Sequence, residues 1–146
     1  GHKDEIEVLA YNHGVSMSLE ATPSSAGGGT SGRCNHSDFS ITKSLDKASP
    51  LLAQRCCSGE HIDEIVVTLN RASGDTGGKV PYMVYTMKNV VISSVSVGGG
   101  DGAGVPTETV AFNYGAIKWE YAKQARKGGG AAGKTAGTWN VEKNIV

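Results

Sequence analysis

The chain has 146 residues, with 14 basic and 14 acidic side chains, so it is formally neutral. Neutrality gives no global electrostatic support for nucleic-acid binding, and no apolar run is long enough to span a membrane as a helix. An apolar content of 38% with 21 glycines favours one all-β domain rich in turns over a helical bundle.

The charge is uneven. Asp4, Glu5 and Glu7 outnumber Lys3 at the start. From Lys118 onward, Lys118, Lys123, Arg126, Lys127, Lys134 and Lys143 outnumber Glu120 and Glu142. A solvated surface is the ordinary reading of such ends, and an edge docking an acidic neighbour is the alternative. Cys34, Cys56 and Cys57 are an odd count without framework spacing, and read as reduced thiols. No signal-peptide pattern opens the chain. Gly1-His2-Lys3-Asp4 enters almost directly into a strand, as a trimmed or partly observed chain would.

In chain order, Ile6, Val8 and Ala10 alternate with Glu5, Glu7, Leu9 and Tyr11, predicting a half-buried strand interrupted at Gly14. Val15, Met17, Leu19 and Ala21 alternate with Ser16, Ser18, Glu20 and Thr22, giving one apolar and one hydroxyl-rich face. Pro23–Arg33 reads as a long flexible loop, a length that is usually functional or disordered. Phe39 and Ile41 begin another strand. A short helix follows, with Ser49 placed to cap it, Pro50 in its first turn and Gly59 at its end. Leu51, Leu52, Arg55 and Cys56 form its packing stripe. Ile65, Val67 and Leu69 resume the period of two, and Ala72–Lys79 reads as a turn. Val80–Lys88 and Asn89–Val97 read as one long, bent strand. After the loop Gly98–Pro106, Thr107–Tyr121 is a strand whose phase breaks near Gly115, where a bulge is expected. Lys127–Gly137 reads as a third glycine-rich loop and Trp139–Val146 as a closing strand. Seven or eight strands with one helix point to a sandwich or barrel.

The chemical motifs are weak. Gly128–Thr135 matches the phosphate-loop pattern G-x-x-x-x-G-K-[ST], but a basic polar segment precedes it and too little chain follows for the required helix. Cys34, His36, Cys56, Cys57 and His61 lack the ligand spacing of a structural zinc site, and read as packing thiols and ordinary histidines. Asn35-His36-Ser37 is a glycosylation sequon by pattern only. No nucleophile, metal or cofactor motif stands in its proper context. That leaves three readings: a protein that works by assembly, a monomeric β-sandwich ligand-binding or effector module, and, least supported, a nucleotide enzyme using Lys134 and Thr135.

Phe39–Ile62 reads FSITKSLDKASPLLAQRCCSGEHI, and this stretch closely resembles the Hcp (haemolysin co-regulated protein) family of type VI secretion. Its core is F-[ST]-x-T-K-x-x-D-K-[AS]-S-P-x-L, followed by C-C-x-G-x-H-I. The opening EIEVLA, VVISSVSVGGG, ETVAFNYGAIKWEY and the closing TWNVEKN match in order. Tyr11 stands where the family often has Trp. The resemblance implies a mainly β, two-sheet, barrel-like domain with one short helix, akin to phage tail-tube proteins. Here it would span residues 1–146 but lack the family's first strand. It implies no catalytic residue, metal or cofactor. It implies homohexameric rings stacking into a hollow tube that is assembled in the bacterial cytoplasm and secreted without a cleaved signal. Partners would be other copies of itself, a VgrG-type spike, the contractile sheath and effectors carried in the lumen, with no nucleic acid and no stable membrane insertion. Carried over by position, Ser24, Ser25, Gly27, Gly28, Gly29, Thr30, Ser31 and Gly32 match an extended loop that contacts the next ring. Asn12 matches a lumen-facing position, and Ser16 and Ser18 are candidates for the same surface.

Overall fold

The computed structural model describes residues 3–20, 30–72, 79–102, 104–124 and 131–146. The elements in order are β1 (Ala10–Asn12), β2 (Val15–Glu20), β3 (Thr30–His36), β4 (Phe39–Ser44), α1 (Ser49–Ser58), β5 (Ile62–Ala72), β6 (Lys79–Gly98), β7 (Thr107–Gln124) and β8 (Ala131–Asn140). The protein is mainly β, with one helix and two sheets among the described residues. Hydrogen bonding orders one sheet β1-β4-β7-β6-β5, with β8 also on β7, while β2 and β3 form a separate two-stranded ribbon. Among the described residues, β1 and β5 stand at the two ends of this strand order.

Two compact units divide the chain, and β6 and β7 contribute to both. The first comprises Gly1–His61 and Val91–Asn113. Its β4 pairs with β1 through Tyr11↔Ile41 and with β7 through Ile41↔Val110. Phe39, Ile41, Ile92, Val110 and Phe112 form its core. The period-two alternation on β4 buries Phe39, Ile41 and also Lys43 on one face.

The second unit comprises Ile62–Val90 and Tyr114–Val146. Here β5 pairs with β6 through Val67↔Tyr85, and β8 with β7 through Ile117↔Trp139. Met87, Val90, Tyr114 and Ile117 are buried. The β6 strand is continuous over 20 residues, as the two abutting apolar runs predict. Within it Asn89 has φ 53, a conformation Asn tolerates better than most side chains.

Several sequence expectations shift. Strand pairing at the start is confined to Ala10–Asn12, and Leu9 adds one amide bond to Thr42 O at 2.7 Å. The Pro23–Arg33 loop ends earlier than expected, because Thr30–Arg33 belong to β3 and pair with β2. Lys127–Gly137 is likewise not all loop: Ala131–Gly137 lie in β8, and the chain turns after Asn140 where a strand was expected. In both places a partner strand overrides the poor β-propensity of glycine-rich sequence. Of the turn expected over Ala72–Lys79, the two ends belong to β5 and β6 and pair with one another, and residues 73–78 lie outside the described residues.

On α1, Gly59 does end the helix, at φ 64, with its amide on Arg55 O at 3.1 Å. Ser49 does not cap it; the N-cap position is Ala48, with no side-chain cap. The stripe is narrower than expected, since Leu52 and Cys56 are half-buried while Leu51 and Arg55 are exposed. Gly115 permits a close approach: a Cβ there would lie 2.7 Å from Glu142 Oε1 and 3.2 Å from Asn89 Cβ. The Val141 amide docks on the Gly115 carbonyl at 2.8 Å, and the one register shift between β7 and β8 falls at Lys123/Gln124.

Candidate functional site

The site is a surface, and it begins with what α1 hides. Lys43 on β4 and Glu108 on β7 have side-chain exposures of 0% and 1%, and their charged atoms meet at 2.7 Å. Ser49 Oγ donates to the same Glu108 oxygen at 2.7 Å and accepts from Lys43 Nζ at 3.1 Å. Lys43 also reaches Ser44 O and Asp46 Oδ1, each at 3.1 Å. Asp46 in turn accepts the Ala48 amide at 2.9 Å. Burial alone would lower the Lys43 pKa, but hydrogen bonds and charge from Glu108 and Asp46 outweigh it and hold the ammonium above its ordinary value. Burial raises Asp46, and the Lys43 contact and the Ala48 amide more than offset it, so its carboxyl sits below the usual range. This network accounts for the T-K-x-x-D-K-A-S-P spacing: Lys43, Asp46 and Ser49 fasten the start of α1 to β4 and β7. It is a fold element with no open position for a substrate.

The opposite imbalance lies on the β2–β3 ribbon. Val15, Met17 and Leu19 are 51%, 46% and 68% exposed. The register places Val15 opposite His36 and Met17 opposite Cys34. Ser16 is paired with Asn35, and Ser18 Oγ accepts from Asn35 Nδ2 at 2.9 Å. The two faces foreseen from sequence are therefore present, but the apolar one faces solvent. Ser16 and Ser18 are exposed and occupy alternate positions of β2; Asn12 is exposed on β1, paired with Ser40. Thr30, Ser31 and Gly32 open β3, and Ser24, Ser25, Gly27, Gly28 and Gly29 lie outside the described residues. Sequence periodicity identified the stripe Val15-Met17-Leu19, but it could not show which face was covered.

The other chemical candidates disperse. Ala131–Thr135 are extended in β8, Thr135 pairs with Tyr121, and Lys134 forms an ion pair with Glu120, so the described part of the phosphate-loop match has the wrong backbone. Residues 128–130 lie outside the described residues. Hydrogen bonds from Lys134 and Lys118 hold the Glu120 carboxyl below its usual pKa. The three cysteines are free thiols. Among the described residues no group of three or more His, Cys, Asp or Glu is arranged to hold a metal. No helix of the described chain is long and apolar enough to cross a membrane. In the second unit a shallow groove of about 260 Å³ is lined by Thr86, Lys88, Ile117, Lys118, Trp139 and Val146. That is smaller than the pockets that enclose drug-sized ligands, roughly 300 Å³ and upward.

Comparison with known proteins gives a consistent answer. The model of the family described as "Type VI secretion system effector, Hcp" matches residues 1–121. The chain is 36% identical to "Protein hcp1" of Pseudomonas aeruginosa over 144 residues, covering 99% of this chain and 86% of that protein. It is 29% identical to the "Major exported protein" of the same organism, covering 83% of this chain and 71% of that protein. A solved structure of a type six secretion system protein superposes with a TM-score of 0.82 at 28% identity, covering 94% of this chain and 83% of that one.

Proposed function

Because the chain belongs to the Hcp family of type VI secretion system effectors, we propose that it is a structural protomer of the secretion tube, working by self-assembly and without catalysis. Six copies close into a ring and the rings stack into a hollow conduit. The tube is built in the bacterial cytoplasm, capped by a VgrG-type spike, driven by a contractile sheath, and secreted with effectors in its lumen.

The observation that carries this reading is the exposed apolar face of β2. A two-stranded ribbon is marginal by itself in water. One that displays Val15, Met17 and Leu19 gains from a neighbour that covers them. Strands at the ends of the order, β1 and β5 among the described residues, are positions that a ring of copies can extend by pairing with a neighbour. In this arrangement the apolar face of β2 meets the adjacent copy, and Asn12, Ser16 and Ser18 give the lumen a polar lining. The segment Ser24–Gly32 then contacts the next ring.

Electron microscopy of the purified protein tests the proposal. Rings with a central hole, and tubes at high concentration, are the expected result. A uniform monomer at high concentration would refute it in favour of a monomeric ligand-binding domain.

A further inference from the structure

The β2–β3 ribbon gathers three donors suited to a soft metal on one face. Cys34-Asn35-His36 places a thiol and an imidazole two residues apart on β3, and side chains of a strand alternate, so both stand on the same face. The register sets Met17 directly opposite Cys34 and Val15 opposite His36. A hydrogen bond fixes the parity: Asn35 Nδ2 donates to Ser18 Oγ at 2.9 Å, so Asn35, Ser16 and Ser18 occupy the other face. Cys34 is thus the corner of the set, with His36 about 6.6 Å along the strand and the Cβ of Met17 about 4.5–5.5 Å across from it. Cys34 is a free thiol, half-buried like His36, and Met17 is 46% exposed.

We propose that Cys34, His36 and Met17 bind a single copper(I) ion on this face. The Cys34 S–H bond breaks, a sulfur–copper bond forms and the proton leaves to water. Copper stays monovalent throughout, so no oxidant or reductant takes part. The imidazole binds through one ring nitrogen and keeps the other for a hydrogen bond, as metal-bound histidines do.

The donor set selects the ion. Thiolate and thioether are soft and favour copper(I), whereas structural zinc takes four nitrogen or sulfur ligands and hard cations take oxygen. Among the described residues no group of three or more His, Cys, Asp or Glu is arranged for a metal, so a thioether, not a carboxylate, completes this set. Charge agrees with the choice. A thiolate with copper(I) is neutral, while with zinc(II) it leaves a net charge on a face shared with the apolar Val15. The ion also joins β2 to β3, which pair only with each other among the described strands, and so ties together a ribbon that is marginal by itself. All three donors belong to one copy, so the site does not rest on the tube reading.

Copper(I), delivered anaerobically from its bathocuproine disulfonate complex to the reduced whole chain at about pH 7.5, tests the site; an ordinary imidazole is neutral there. Cys56 and Cys57 on α1 are also free thiols, so the readout must be local. It is the NMR signal of the Met17 methyl and the His36 ring, with Met83 and Met87 on β6 as references. Copper(I) is expected to shift both signals together to saturation, and equimolar zinc(II) should not displace it. Met17→Leu keeps an apolar side chain at an exposed position and should weaken binding, read on His36, by about tenfold or more. Cys34→Ser should abolish the response. Unshifted Met17 and His36 signals, displacement by equimolar zinc(II), or a His36 response unchanged in Met17→Leu would each overturn the proposal; Met17→Leu keeps the test decisive if Cys34→Ser does not fold. Sedimentation of the same samples separates the two readings. A uniform monomer that takes copper at Met17 and His36 would contradict the tube alone, and rings that leave both signals unshifted would contradict the site alone.

Discussion

Lys43 and Leu19 lie in the same unit and depart from the usual sorting of residues in opposite senses. The Lys43 ammonium is fully buried but surrounded by Glu108, Ser49, Asp46 and a backbone carbonyl. Leu19 is apolar and 68% exposed on a two-stranded ribbon. A buried charge with every partner in place serves the fold of one copy, because its cost is already offset within that copy. An exposed apolar stripe has no such internal compensation, so it points outward to what completes it. The Phe39–Ile62 signature falls on the first kind of region and the proposed assembly surface on the second.

The contrast can be broken at either end. The largest expected effect on stability is at the buried network. Glu108→Leu should cost about 3–5 kcal/mol in urea unfolding, because it leaves Lys43 buried without its counter-charge. The double change Lys43→Met with Glu108→Leu should recover most of that loss, since an apolar pair of similar volume removes both charges. Equal costs for the single and the double change would mean that packing, not charge pairing, holds α1 in place. The network also sets a pH window. Lys43, raised above its ordinary value, contributes stability that is present below that value and lost as pH rises through the folded one. Asp46, lowered, contributes stability that is present above the ordinary carboxylate range and lost as pH falls through its folded value. A wild-type unfolding profile against pH checks both signs.

Gly115→Ala comes next, at about 1–3 kcal/mol, since its Cβ would push against Glu142 and Asn89. Pairing it with Glu142→Ala should return part of the cost, which a thermal-unfolding cycle would read. If Glu142→Ala returns nothing, the close approach to Asn89 alone sets the requirement for glycine.

Much of the fold is legible in the sequence because local patterns and tertiary pairing agree there. The alternation in Phe39–Thr42, Pro50 in the first helical turn, Gly59 at its end and the abutting apolar runs of β6 each specify their element without help from distant residues. The signal fails at Thr30–Arg33 and Ala131–Gly137, where glycine-rich sequence becomes strand only because β2 and β7 present edges to pair with. It also fails at Ser49. Its position suits a cap, but its hydroxyl is drawn to Glu108, which is 59 residues away in the chain. The proposed assembly surface is half legible. Period two gives the stripe on β2, but nothing in the sequence states that, among the described strands, β2 pairs only with β3 and leaves the stripe exposed.

The smallest expected effects are at the surface. Lys134→Ala removes an ion pair with Glu120 whose lysine is well exposed. The unfolding midpoint should not move measurably, because screened surface pairs contribute little. A clear loss of stability would instead mark the β7–β8 ladder as dependent on that contact.

Leu19→Asp, measured for both stability and assembly, tests the central claim most directly. The change is at an exposed position, so the unfolding free energy of one copy should stay within about 0.5 kcal/mol of wild type. Sedimentation velocity should show the ring-sized particle replaced by monomer. Rings that persist unchanged in this variant would contradict the account, because the apolar face of β2 would then not be what neighbouring copies cover.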